Sequence, residues 1–141
     1  NSRSIGIELA NRGVEPFSAP QIAALERLLP QIMARWAIGP EGVIGHSDMA
    51  PGRKSDPGPR FDWRRLALSG LSVWPEAGEA VGDFGTAARA FGYPEVASDL
   101  LLTAFRLRFR PWARGPLDAT DAALAADLAR RFAVDGARGA A

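Results

Sequence analysis

The apolar positions of this chain change their spacing more than once, and each change predicts a different element. From Ser4 to Leu9 the residues alternate, with Ile5, Ile7 and Leu9 set against Gly6 and Glu8. That spacing predicts a half-buried strand whose isoleucines face a core while Glu8 faces the other way. From Ser18 the period lengthens to that of a helix. Ile22, Leu25, Leu28, Leu29, Ile32, Met33 and Trp36 form one continuous stripe suited to core packing. Ser18 with Gln21 three residues on makes a capping box, and Pro20 suits a first turn. Pro30 lies inside the stripe and is expected to kink or interrupt the helix, because it removes one hydrogen bond and crowds the preceding turn. Gly39-Pro40 ends it. The apolar run Val43-Ile44-Gly45 then predicts a brief buried strand, parallel to the first if the helix is a crossover. The expected fold is therefore α/β, with a mixed sheet that brings the two strands to one edge.

Further on, Asp62 is placed to cap a short helix from Trp63 to Ser69, with Gly70 just past its end, and Phe61 and Trp63 are expected to pin the preceding loop to the core. Ser72 to Gly82, with Pro75 and Gly78, has no periodicity and marks the expected domain boundary. Residues 1–76 form the first domain on this reading, and 77–141 a small three-helix domain. Its helices are expected over Asp83 to Phe91, stopped by Gly92 and Pro94, then Val96 to Phe109, stopped by Pro111, then Thr120 to Phe132, capped by Asp118 or Thr120. Arg106, Arg108, Arg110 and Arg114 admit two readings. They form a cationic patch, or they are solvated positions on a helix whose other face packs Leu101, Phe105 and Phe109.

Composition narrows the possible functions. At 141 residues with 47% hydrophobic content the chain is long enough for one compact domain or a partial domain with an appendage. No apolar run reaches the about eighteen residues that a spanning helix needs. The absence of cysteine excludes disulfide frameworks, thiolate-bound zinc and thiol nucleophiles, and leaves the redox compartment open. A formal net charge of +1 gives no case for nucleic-acid binding, which needs a concentrated basic face.

The chemistry concentrates in one loop, Gly45 to Trp63, reading GHSDMAPGRKSDPGPRFDW. It holds the only histidine of the chain, His46, and its only lysine, Lys54, among seventeen basic residues. Pro51, Pro57 and Pro59 with Gly52 and Gly58 fix a non-repetitive backbone that can hold side chains still. His46 leaves the end of a predicted strand, and Asp56 follows ten residues later. One imidazole and one carboxylate are ligand types that zinc accepts, although a catalytic zinc site takes three protein ligands and a water. Asp48 either orients His46 or bonds its own turn.

The GHSDMAPGRKSDPGPRFDW run resembles the zinc-ligand segment of the AmpD-type N-acetylmuramoyl-L-alanine amidases, the amidase-2 family, and SIGIEL at Ser4 to Leu9 resembles that family's strand bearing its catalytic glutamate. The resemblance implies zinc as cofactor, with His46 and Asp56 as ligands, Glu8 as general base and Lys54 as the group that stabilises the transition state. The family binds zinc with two histidines and one aspartate, so the third ligand is expected to be a histidine outside this chain, on an upstream N-terminal segment of the same protein. The run AFRLRFRP at Ala104 to Pro111, followed by Gly115 and the Leu117 to Thr120 lead into the last helix, resembles the three-helix peptidoglycan-binding-like domain found in the AmiD branch. The implied activity is hydrolysis of the amide between the lactyl group of N-acetylmuramic acid and the L-alanine of the stem peptide. Muropeptides are the implied partners, and nucleic acid is not. The alternative is a non-catalytic peptidoglycan-recognition module on the same fold. A periplasmic or outer-membrane location is expected, with membrane contact only through a lipid anchor outside this chain. A cytoplasmic location is the alternative.

Overall fold

The computed structural model describes residues 3–133. Its elements are α1 (Ala19–Trp36), a 3-10 turn (Pro40–Gly42), α2 (His46–Met49), α3 (Trp63–Leu68), α4 (Phe84–Phe91), α5 (Ser98–Phe109) and α6 (Ala119–Phe132). Among the described residues there is no strand, so the expected α/β mixed sheet is corrected to an all-helical arrangement. The reason is that alternation makes a strand only where a second backbone supplies the ladder. Val43 and Gly45 do have extended backbone, at φ −92°, ψ 103° and φ −88°, ψ 159°. No strand among the described residues pairs with them, and the Val43 carbonyl accepts from Ser72 Oγ at 3.0 Å instead. Ile5, Ile7 and Ile44, expected to be buried, stand 47%, 38% and 46% exposed.

The helices follow their caps. Ser18 Oγ accepts from the Gln21 amide at 3.3 Å to start α1, and the carboxylates of Asp62, Asp83 and Asp118 accept from the amides of Arg65, Thr86 and Asp121 to start α3, α4 and α6. Pro30 does not interrupt α1, which runs unbroken past it. The residue faces solvent, where water can satisfy the carbonyl that loses its amide partner. No helix among the described residues is long and apolar enough to cross a membrane.

Two apolar clusters result. In the first, Ile22, Leu25 and Leu29 of α1 meet Phe61, Trp63, Leu66 and Leu71, with Phe17, Phe61 and Trp63 in edge-to-face contact at centroid distances of 5.2 and 4.8 Å. In the second, α4, α5 and α6 enclose Ala88, Leu101, Phe105, Phe109, Ala125 and Leu128. Burial of each large side chain contributes about 1.5–3 kcal/mol. Trp74 packs against both clusters, its ring 5.6 Å from that of Phe109.

Arg106 and Arg108 of α5 and Arg110 just past its end form neither a cationic patch nor a solvated face, whereas Arg114 is exposed and donates to the Pro111 and Ala113 carbonyls. Arg106 Nε and Nη2 donate to the two oxygens of Asp121 at 3.1 and 2.6 Å, and Arg110 Nη1 donates to Asp121 at 2.7 Å and to Asp118 at 2.8 Å. Burial pushes the Asp121 carboxyl up, but the hydrogen bonds from Arg106 and Arg110 outweigh it and hold the group below the usual carboxylate range. Arg108 points the other way and is buried at 3% exposure.

Candidate metal centre

The loop that carries His46 owes its shape to a single helical turn. Gly45 precedes α2 in extended conformation, His46 is its first residue, and Asp48 is the third. Asp48 Oδ2 reaches back to accept from the Gly45 amide at 2.8 Å, as the acid of a capping box does. The chain then tightens, with the Ala50 amide on the His46 carbonyl at 2.9 Å and the Lys54 amide on the Ala50 carbonyl at 3.0 Å. It returns so that the Ser47 amide donates to the Asp56 carbonyl at 3.0 Å. That last bond explains how two residues ten apart meet side by side.

Two glycines are required for this path. A Cβ on Gly45 would lie 2.8 Å from Pro57 Cδ and 3.1 Å from Trp63 Cζ2. Gly58 has φ +85°, and a Cβ there would fall 2.9 Å from the Gly13 carbonyl oxygen, so the loop is seated against the turn that precedes α1.

His46 Nδ1 lies 3.2 Å from Asp56 Oδ2, with the two side chains 41% and 65% exposed. Two ligand atoms on adjacent corners of a tetrahedral zinc, each at its usual bond length, sit about 3.3 Å apart. The pair therefore fits zinc in donor type, spacing and access. Among the described residues no group of three His, Cys, Asp or Glu is gathered, so His46 and Asp56 supply two ligands and not three.

Glu8 is exposed on the irregular segment before α1, and Lys54 is exposed between His46 and Asp56 along the loop. No hydrogen bond or ion pair joins either side chain to the His46–Asp56 pair among the described residues.

Asp48 is a junction of more than its own turn. It is 6% exposed, and beyond capping Gly45 it accepts from Tyr93 Oη at 2.6 Å through Oδ1 and from Arg108 Nη1 at 3.2 Å through Oδ2. Arg108 Nη2 also donates to Ser72 Oγ at 3.1 Å and to the Val43 carbonyl at 3.4 Å, and its guanidinium stacks 4.4 Å from the Trp63 ring. Burial, then the Asp48 carboxylate, push the Tyr93 hydroxyl well above the usual phenol range, so it stays a donor. Sequence reasoning missed Arg108 and Tyr93. A signal was present for Arg108, since it shares the helical stripe of Leu101 and Phe105, whereas Arg106 and Arg110 lie four apart on another face. Tyr93 carried none.

Over 168 aligned positions the chain is 37% identical to N-acetylmuramoyl-L-alanine amidase AmiD of Escherichia coli K12, covering 96% of this chain and 60% of AmiD. It is 42% identical over 66 positions to 1,6-anhydro-N-acetylmuramyl-L-alanine amidase AmpD of Enterobacter cloacae, covering 47% of this chain and 35% of AmpD. Among solved structures, E. coli AmiD in complex with the substrate anhydro-N-acetylmuramic acid-L-Ala-D-gamma-Glu-L-Lys superposes with a TM-score of 0.79 at 35% identity, covering 91% of this chain and 62% of that one. AmpDh3 of Pseudomonas aeruginosa in complex with anhydromuramic pentapeptide gives 0.75 at 32% identity, covering 85% and 56%. The chain thus spans about 60% of the length of AmiD and about a third of that of AmpD. The stretch that holds the His46–Asp56 pair, residues 1–59, matches the Amidase_2 family of N-acetylmuramoyl-L-alanine amidases, and the similarity is to its AmiD and AmpD types.

Proposed function

We propose that this chain is part of a zinc-dependent N-acetylmuramoyl-L-alanine amidase that releases the stem peptide from the lactyl group of N-acetylmuramic acid or its anhydro form. The observation that carries the reading is the solvent-accessible His46–Asp56 pair at 3.2 Å. It lies inside the segment that matches the family. Similarity to an amidase solved with its muropeptide substrate supports the choice of muropeptides as ligands.

In this proposal His46 and Asp56 hold zinc together with a histidine from outside this chain. Zinc, when bound, supplies a Lewis acid that makes water nucleophilic near neutral pH and polarises the scissile carbonyl. Glu8 takes the proton of the attacking water and returns it to the leaving amine of L-alanine. The Lys54 ammonium offsets the negative charge that builds on the carbonyl oxygen as the water adds. Groups in such roles each contribute about 100-fold or more, and not additively. The helices beyond residue 76 are assigned to peptidoglycan binding, and the protein to the periplasm or outer membrane.

The test is zinc content and muropeptide cleavage by the full-length protein and by His46→Ala and Asp56→Ala. Both variants are expected to lose bound zinc and turnover, because two remaining ligands leave the site weak and open. Full zinc occupancy in either one refutes the ligand assignment. A wild type that binds muropeptide and leaves it uncut would replace the enzyme with a recognition module.

A further inference from the structure

His46 and Asp56 belong to the first half of the sequence, yet the buried centre of their loop is filled from α5, where Arg108 reaches Asp48. We propose that Arg108, together with Tyr93, is a positioning residue for the metal pair, so that the helical half of the chain sets the geometry of the site; this rests on the zinc reading above.

The route is short and every step is a hydrogen bond. Arg108 Nη1 and Tyr93 Oη hold the two oxygens of Asp48 at 3.2 and 2.6 Å. Asp48 Oδ2 holds the Gly45 amide at 2.8 Å, which fixes the start of the turn whose first residue is His46. In the same turn the Ser47 amide holds the Asp56 carbonyl at 3.0 Å, which fixes the second ligand against the first. Arg108 also ties down the residue that leads into this turn, since its Nη2 holds the Val43 carbonyl together with Ser72 Oγ, which itself donates to that carbonyl. Leu100 of α5 covers the loop further on, close enough that a Cβ on Gly52 would lie 2.9 Å from its Cδ1. Arg108 is 1% exposed at its side chain and Asp48 is 6% exposed, so water cannot take the place of either partner.

A purely structural role would lower stability and leave the metal site as it was, whereas a positioning role alters the site even where the fold survives. The experiment compares the full-length wild type with Tyr93→Phe and Arg108→Lys. Tyr93→Phe removes one hydroxyl from an otherwise unchanged core, and it decides the matter if Arg108→Lys fails to fold. Zinc affinity, read by competition with a chromophoric chelator, is expected to fall about tenfold in each variant, at the lower end of what groups behind the ligands contribute. In the zinc-free protein, amide exchange at Gly45 and Ser47 is expected to quicken by about tenfold or more while that of the α6 amides is unchanged. The drop in kcat should exceed any change in KM, since substrate contacts are intact. Variants of an active wild type that keep its zinc affinity and its Gly45 exchange rate overturn the inference alone. A wild type that takes up no zinc overturns the amidase reading, and the inference with it.

Discussion

Asp121→Asn measures how firmly α5, and with it Arg108, is held to the rest of the chain. Asp121 is fully buried and receives four donors: Arg106 Nε and Nη2, Arg110 Nη1 and the Asp118 amide. Removing one member of a buried ion pair costs about 3–5 kcal/mol, because the partner charge is left unmatched in a poorly solvated place. Here the value belongs at the low end. Arg106 keeps its bonds to the Gly115 and Pro116 carbonyls at 2.6 and 2.9 Å, and Arg110 keeps Asp118. About 3 kcal/mol corresponds to a fall in thermal midpoint of roughly 12 °C for a chain of this size. The pH dependence has a definite sign. The folded state holds Asp121 below its ordinary value of 3.8, so its contribution is complete above that value and is lost as the pH falls through the lower, folded-state value. Urea unfolding of wild type and Asp121→Asn should therefore differ by the full amount at pH 7 and converge only in the acid range below 3.8. Equal midpoints at pH 7, or a gap that stays constant into strong acid, would refute the reasoning.

Other substitutions probe the site and the core. Lys54→Ala should retain zinc and most substrate affinity while turnover falls about 100-fold, and Lys54→Arg should recover little, because a planar fork does not place a compact charge at the same point; steady-state kinetics showing wild-type turnover would return Lys54 to the surface. Glu8→Gln should likewise keep zinc and lose about 100-fold or more in kcat; undiminished activity would remove Glu8 from the mechanism. Phe105→Ala, at a position with no exposure, should destabilise by about 3–5 kcal/mol in denaturant titrations. A change under about 1 kcal/mol there would mean that the α4, α5 and α6 core repacks around the gap.

Local structure was legible where a residue's own neighbours decide it. Ser18 and Asp62 each cap the helix their spacing announces, and of Asp118 and Thr120 it is Asp118 that caps the last one, because a side chain reaching an amide three residues on needs nothing from the rest of the fold. The strands failed for the opposite reason, since the alternation of Ile5, Ile7 and Leu9 is a statement about a partner backbone that the segment itself does not contain. The meeting of His46 and Asp56 was foreshadowed by the prolines and glycines between them, which leave the loop few ways to turn. The role of Asp48 was legible only in part. Its bond to Gly45 is local, but its bonds to Tyr93 and Arg108 span separations of 45 and 60 residues, which no short motif encodes. A single face for Arg106, Arg108, Arg110 and Arg114, opposite Leu101, Phe105 and Phe109, fails on phase. At helical spacing Arg108 belongs with Phe105 and Leu101, and a cation in an apolar stripe must find an acid there.

The guanidinium of Arg108 laid between Trp63 and Asp48 bears on how such chains can be recombined. A graft that joined residues up to about Trp74 to an unrelated helical cassette would strand Asp48 as a buried acid with no base, and would strip the cover from Trp63. The seam that is cheap to cut in the sequence, the irregular stretch near Pro75, is therefore not the seam along which the molecule comes apart. Shuffling across it would succeed only with an incoming helix that offers an arginine at the same height and an aromatic hydroxyl beside it, so the second half travels with the first as a matched key.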